Sequence, residues 1–131
     1  MMKIIVIIPA YNEEKAIANV VREIPKIVSE IIVVNNNSTD KTGRIAFENG
    51  ATVLSEKRKG YGYACLKGLE YISHQKTKPD IVVFIDGDYS DFPEELIHLV
   101  EPILNQNVDF VIGARVANLR EKGSMTPQQV F

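Results

Sequence analysis

The sequence predicts an α/β fold in which a parallel sheet is sandwiched by helices. Four runs, Ile4–Ile8, Ile31–Val34, Ile81–Ile85 and Phe110–Ile112, are unbroken stretches of Ile, Val and Phe. A strand wetted on one face alternates apolar with polar residues; one covered on both faces does not. Apolar residues at helical spacing fill the intervals between these runs, and strict alternation of the two patterns implies right-handed βαβ units.

The elements follow in order. Ile4–Ile8 is the first strand, ended by Pro9 and Asn12. Glu13–Ile24 places Ile17, Val20, Val21 and Ile24 on one helical face, and Pro25 stops it. Ile31–Val34 is the second strand. Thr42–Asn49 carries Ile45 and Phe47 and closes on Asn49-Gly50, with Thr39 or Asp40 suited to cap its start. Ala51–Leu54 is a shorter strand, expected nearer an edge. Tyr63–Ser73 carries Leu66, Leu69 and Ile72 at helical spacing. Ile81–Ile85 is the next strand. Pro93–Leu104 opens with proline in its first turn and with Glu94 and Glu95, which complement the helix dipole. Phe110–Ile112 is the last strand, and Arg115 to Phe131 is polar and aperiodic, as a loop is.

Composition narrows the function classes. With 131 residues, 45% hydrophobic and 24% charged, the chain has the length of one domain and enough apolar surface for a core. A net charge of -2 offers no basic excess for nucleic acid or an anionic membrane. Cys65 is the only cysteine, which excludes an internal disulfide and a cysteine-rich zinc site and points to a reducing, cytoplasmic compartment. His74 and His98 have no Cys or His partner at metal-binding spacing. No stretch approaches the roughly 18 apolar residues of a membrane span. Val130-Phe131 carries no turn or capping signal, so residues 1–131 read as part of a longer protein.

In open parallel sheets ligands gather at the carboxyl ends of the strands. The segments there are Pro9-Ala10-Tyr11-Asn12-Glu13-Glu14, Asn35 to Asp40, Lys57 to Gly62, Asp86-Gly87-Asp88-Tyr89-Ser90-Asp91 and Gly113-Ala114-Arg115. Asp86 and Asp88 are the sharpest signal. Two carboxylates two residues apart at a strand end repel one another unless a cation joins them, and oxygen ligands suit Mg²⁺ or Mn²⁺. Two solvated loop acids are the alternative. Capping accounts for the end of the Asn35–Asp40 segment but not for Asn35 and Asn36, whose amides are able to read a base edge. The Lys57–Gly62 loop, with Lys59 among its three cations, either embraces a phosphate or is a solvated turn. It is not a dinucleotide fingerprint, because Cys65 stands where the third glycine would be.

Taken together, Ile8-Pro9-Ala10-Tyr11-Asn12-Glu13-Glu14, Val33–Thr42, Gly60–Gly68 and Phe84–Leu96 resemble the family 2 glycosyltransferases, whose catalytic domain has the Rossmann-like GT-A fold of nucleotide-diphosphosugar transferases. Asp86-Gly87-Asp88 and Val111-Ile112-Gly113-Ala114-Arg115 look most like the dolichyl- and polyprenyl-phosphate sugar transferases. The resemblance implies that Pro9, Tyr11 and Glu13 line a nucleoside pocket, with Ala10 and Gly87 on the substrate side of their loops. It places Asn36 where the family usually has a base-reading Asp, Asp86 near ribose and metal, Asp88 on the metal and Arg115 at phosphate oxygens. Three positions depart from the pattern. Asn35-Asn36 replaces an Asp-Asp pair, and Ser90 stands where the lipid-phosphate subgroup often has Gln.

The reaction implied is transfer of a sugar, with inversion, from a UDP- or GDP-linked donor. The acceptor is a polyprenyl or dolichyl phosphate at the cytoplasmic membrane face or, alternatively, a saccharide hydroxyl. Membrane association would come through parts outside these residues. A phosphate acceptor is largely dianionic at neutral pH and needs no general base; a hydroxyl needs one, and Asp91 is the one candidate. Asp-x-Asp after a strand also occurs in haloacid-dehalogenase-type phosphatases. There it stands near the chain start followed by Thr or Val, whereas here it comes late and Tyr89 follows. A non-catalytic nucleotide-binding module is the third reading.

Overall fold

The computed structural model describes residues 3–88 and 110–112. Strands β1 (Ile4–Ala10), β2 (Glu30–Asn35), β3 (Thr52–Ser55), β4 (Ile81–Phe84) and β5 (Phe110–Ile112) form one sheet in the order β3-β2-β1-β4-β5. Every pairing is parallel, with Ile8 opposite Val33 and Val6 opposite Val83 around the central strand. Helices α1 (Ile17–Glu23), α2 (Thr42–Glu48) and α3 (Tyr61–Ser73) connect them. The expected helix Pro93–Leu104 lies outside the described residues.

The side chains of β1 split the core in two. Ile4, Val6, Ile8 and Ala10 pack with Ile17, Val20 and Val21 of α1 and Ala46 of α2. Ile5 and Ile7 point the other way, against Ala64 and Ile72 of α3. Both faces of β1 are therefore buried, which is why its sequence does not alternate. The chain steps from β1 through β2 to β3 with α1 and α2 on one face. It then crosses back to β4 with α3 on the other, as a right-handed crossover in the opposite direction requires. α3 fits because Gly68 has no side chain: a Cβ there would lie 2.9 Å from two carbons of Ile7.

Some boundaries differ from the sequence expectation, for local reasons. β1 runs on through Pro9 to Ala10. Its pairing with β4 ends at Ile7 opposite Phe84, so proline sits where β1 pairs on the β2 side alone and its missing N–H is tolerated. α1 begins at Ile17, not Glu13: a separate turn, closed by the Ile17 N–H on the Glu13 carbonyl (2.8 Å), precedes it, and the N–H groups of Glu13 and Glu14 donate to Thr42 and Asp40 in the next loop. α3 starts two residues early, at Tyr61. Its N-cap is Gly60 at φ 130°, a conformation open to glycine.

The pole of the sheet opposite the strand ends is tied by Glu30. Its carboxylate accepts from Thr52 (2.9 Å), Tyr71 (3.0 Å) and Gln75 (2.9 Å), and Lys3 donates to Gln75 at 3.1 Å. The Tyr71 phenol is raised above its ordinary pKa by that bond to Glu30 and by burial.

Candidate functional site at the switch point

Strand order reverses between β1 and β4, since β2 and β3 continue on one side of β1 and β4 and β5 on the other. The loops after β1 and β4 leave the sheet on either side of this point, which is where open α/β sheets bind ligands. Pro9 to Glu14 leave β1 there, and Asp86-Gly87-Asp88 leave β4 there. Gly87 brings the two loops together. A Cβ on it would lie 3.2 Å from the Ala10 Cβ and 3.3 Å from the Pro9 carbonyl, so glycine lets the loop lie against the end of β1. Pro9, Ala10 and Gly87 are buried, while Asp88 and Tyr11 are exposed and Asp86 and Glu13 half-buried.

The acids share one field. The Glu13 carboxyl is raised above its ordinary value by burial first, and then by the negative charges of Asp88, Asp40 and Asp86. Three of these residues come from three different loops, so the sheet assembles a concentrated negative potential at its switch point. Among the described residues no group of three or more His, Cys, Asp and Glu is disposed to hold a metal ion. Asp86 is half-buried and Asp88 exposed, two residues apart just beyond the end of β4.

The loops after β1 and β2 are stitched together. Asn12, in the left-handed region at φ 52°, donates its N–H to Ser38 (2.9 Å) and accepts from the Thr39 N–H (2.9 Å). Thr42, fully buried, accepts from the Glu13 N–H at 2.8 Å and donates its hydroxyl to Asp40. Glu14 accepts from the Lys41 N–H at 3.1 Å. Burial pushes the Asp40 carboxyl up, but the bonds from the Thr42 hydroxyl and N–H and the Glu14 N–H outweigh it and hold it below its usual value. The N-cap of α2 is Lys41, without a side-chain cap bond, and not the expected Thr39 or Asp40; Asp40, one residue earlier, accepts from the Thr42 N–H at 3.0 Å. Thr39 is bonded to Asn12 instead.

Asn35 and Asn36 part company with the sequence reading. Asn36 is only 7% exposed; its amide donates to the carbonyls of Glu56 (2.9 Å) and Arg58 (2.7 Å) and accepts from the Gly60 N–H (3.1 Å). Both its donors and one of two lone pairs are engaged, so the expected base-reading amide is spent on the neighbouring loop. The Asn35 side chain accepts from the Ser38 N–H at 3.2 Å. In the 56–60 loop, Arg58 is not a cation in waiting. It pairs with Glu56 at 2.9 Å and stacks 4.4 Å from the Tyr63 ring centroid. Lys57 and Lys59 remain exposed. Sequence reasoning missed Asn12, Thr42 and Glu56 as site builders; an acid two residues before an arginine beyond an edge strand was the available signal for Glu56. Asp91 and Arg115 lie outside the described residues.

A doubly wound parallel sheet with acids at the switch point defines the class: a nucleotide-diphosphosugar transferase fold of GT-A type. The profile of glycosyl transferase family 2 matches residues 5–131, and the chain belongs to that family. Among curated relatives, the UDP-N-acetylglucosamine–dolichyl-phosphate N-acetylglucosaminyltransferase of Methanococcus voltae is 33% identical over 93% of this chain and 55% of its own length. Protein RfbJ of Shigella flexneri is 39% identical over 88% of this chain and 87% of its own. Glucosyl-3-phosphoglycerate synthase of Mycobacterium tuberculosis, solved with Mn²⁺, UDP and glucosyl-3-phosphoglycerate, superposes with a TM-score of 0.67 at 36% identity. That match covers 79% of this chain and 40% of the synthase. Apart from the Shigella protein, the chain spans about half the length, or less, of the curated relatives it matches.

Proposed function

We propose that this chain is the donor-binding part of a metal-dependent, inverting glycosyltransferase. The donor is a nucleoside-diphosphate sugar, with UDP favoured over GDP. The observation that carries the reading is that Asp86, Asp88 and Glu13 leave the sheet at its switch point, with Glu13 raised by burial first and then by charges that include those of Asp88 and Asp86. An Mg²⁺ or Mn²⁺ ion held by Asp86 and Asp88 would supply charge neutralisation for the departing diphosphate. Around it, Pro9, Ala10 and Gly87 form a close-packed floor, Tyr11 offers an exposed ring for a base or ribose, and the loop stitching fixes Glu13. Lys59, and Arg115 beyond the described residues, are the cations assigned to phosphate oxygens. Support comes from the solved synthase, whose complex holds Mn²⁺ with UDP.

The acceptor in the whole protein is assigned as a polyprenyl or dolichyl phosphate at the cytoplasmic membrane face. The Methanococcus relative, named for a dolichyl-phosphate acceptor, supports this, and an anionic phosphate does without a general base. The test is to incubate the full-length enzyme with radiolabelled UDP-glucose, UDP-N-acetylglucosamine or GDP-mannose and either polyprenyl phosphate or an oligosaccharide. Label in the lipid fraction is the expected result. Label in the oligosaccharide alone would replace the acceptor and retain the transferase, with Asp91 then the base to examine.

A further inference from the structure

The nucleoside reading leaves open what selects the base. A base-reading residue needs polar atoms that a ligand can reach. The Asn36 amide is buried, and it meets residues 56, 58 and 60 of one segment through three hydrogen bonds. A single side chain thus does for this loop what a neighbouring strand would do, in a place where β3 has ended at Ser55. Other devices hold the same five residues. The Glu56 N–H donates to the Asn35 carbonyl at 3.0 Å, carrying the main-chain pairing one step past the strand. Glu56 itself is 6% exposed, and Arg58 closes on it through its guanidinium (2.9 and 3.1 Å) and its own N–H (2.9 Å). Gly60 takes a φ of 130° so that its N–H reaches Asn36. A solvated turn needs neither a buried carboxylate nor a buried amide, since each costs free energy unless fully bonded. The loop is built to hold one shape beside the end of β2, where Asn36 also ties β2 to the end of β1: its N–H donates to the Ala10 carbonyl at 2.8 Å.

We propose that Asn36 is a positioning residue that shapes the 56–60 loop into one wall of the nucleoside pocket, and that this wall, rather than the Asn36 amide, meets the base. This rests on the nucleotide-binding reading. The two roles give opposite results for Asn36→Asp. A carboxylate accepts well from the ring N–H of uracil or guanine, so a direct reader would keep or gain affinity. A positioning residue would lose both donors to the Glu56 and Arg58 carbonyls and gain a buried charge near Glu56.

The experiment titrates the 131-residue chain and its Asn36→Asp, Asn36→Ala and Arg58→Ala variants with UDP, GDP and pyrophosphate, each with Mn²⁺, by calorimetry. Amide hydrogen exchange is followed in the ligand-free proteins, with thermal melts as the control for folding. Both Asn36 variants should bind nucleoside diphosphates at least tenfold more weakly while binding Mn²⁺-pyrophosphate within twofold of the parent. Their amides at 57–60 should exchange faster. Arg58→Ala should shift the same quantities in the same direction, and the Asn36→Ala/Arg58→Ala double variant should fall short of the sum. Asn36→Asp with parental affinity, or with a switched preference between UDP and GDP and unchanged loop exchange, would overturn the positioning role alone. Equal loss for pyrophosphate and nucleotide would make Asn36 a general structural residue. A parent chain that binds none of the nucleoside diphosphates would overturn the nucleotide reading, and the wall with it.

Discussion

Glu13 and Glu56, in neighbouring loops, are driven in opposite directions by their surroundings. The Arg58 guanidinium and N–H hold the Glu56 carboxyl down to about 2, from an ordinary 4.5. A depressed carboxylate contributes stability that is complete above 4.5 and is lost as pH falls towards 2. Urea denaturation of the parent should therefore weaken between pH 4.5 and 2, and Glu56→Gln should remove part of that slope while lowering stability at neutral pH. Glu13 is raised, so its ionisation costs stability as pH climbs above 4.5. Asp88 is exposed, and Asp88→Asn should leave the circular dichroism spectrum unchanged. It should also weaken Mn²⁺-dependent UDP binding by at least about tenfold, since even an outer partner of a metal ligand is worth about 10–100-fold. Unfolding of that variant would make Asp88 a structural residue. The sequence announced Asp86 and Asp88 because two acids at a strand end have little structural use. It hid the task of Asn36, because an amide that reads a base and one that braces a loop are the same residue; what distinguishes them is a partner twenty or more positions away.

At the scale of elements, the strands were legible because burial on both faces imposes apolar continuity, a constraint visible in any short window. Helix starts were less so. From Glu13 the chain makes a separate turn before α1, and the Glu13 and Glu14 N–H groups bond across to the next loop, which no periodicity encodes. Close contacts between elements were equally silent. Gly68 looked like an ordinary helical position, yet it sets the approach of α3 to β1. Gly68→Ala would place a methyl 2.9 Å from Ile7, which is fully buried and has little room to yield. The expected cost is about 1–3 kcal/mol in chemical denaturation, and Ile7→Val in the same chain should recover part of it. Additive losses would show that the two residues do not meet.

For the whole molecule, site and core are assembled by one topology: the reversal that places α3 on its own face also sets the loops after β1 and β4, with their acids, at the switch point. Ligand binding should then stabilise the entire sheet. UDP with Mn²⁺ at about 100 times Kd should add about 2.7 kcal/mol, read as a shift in thermal midpoint that EDTA abolishes; a shift indifferent to EDTA would exclude the metal. The position of β1 carries a further consequence for biosynthesis. Ile4–Ala10 leaves the ribosome before Ile81–Phe84, so one of its edges must wait for its partner strand. At roughly 5–20 residues per second, that edge waits about 4–15 s. Through this interval a run of five Ile and Val residues stays open to pairing with another nascent chain, so a strand that the folded sheet buries along its whole length is, during translation, an aggregation hazard.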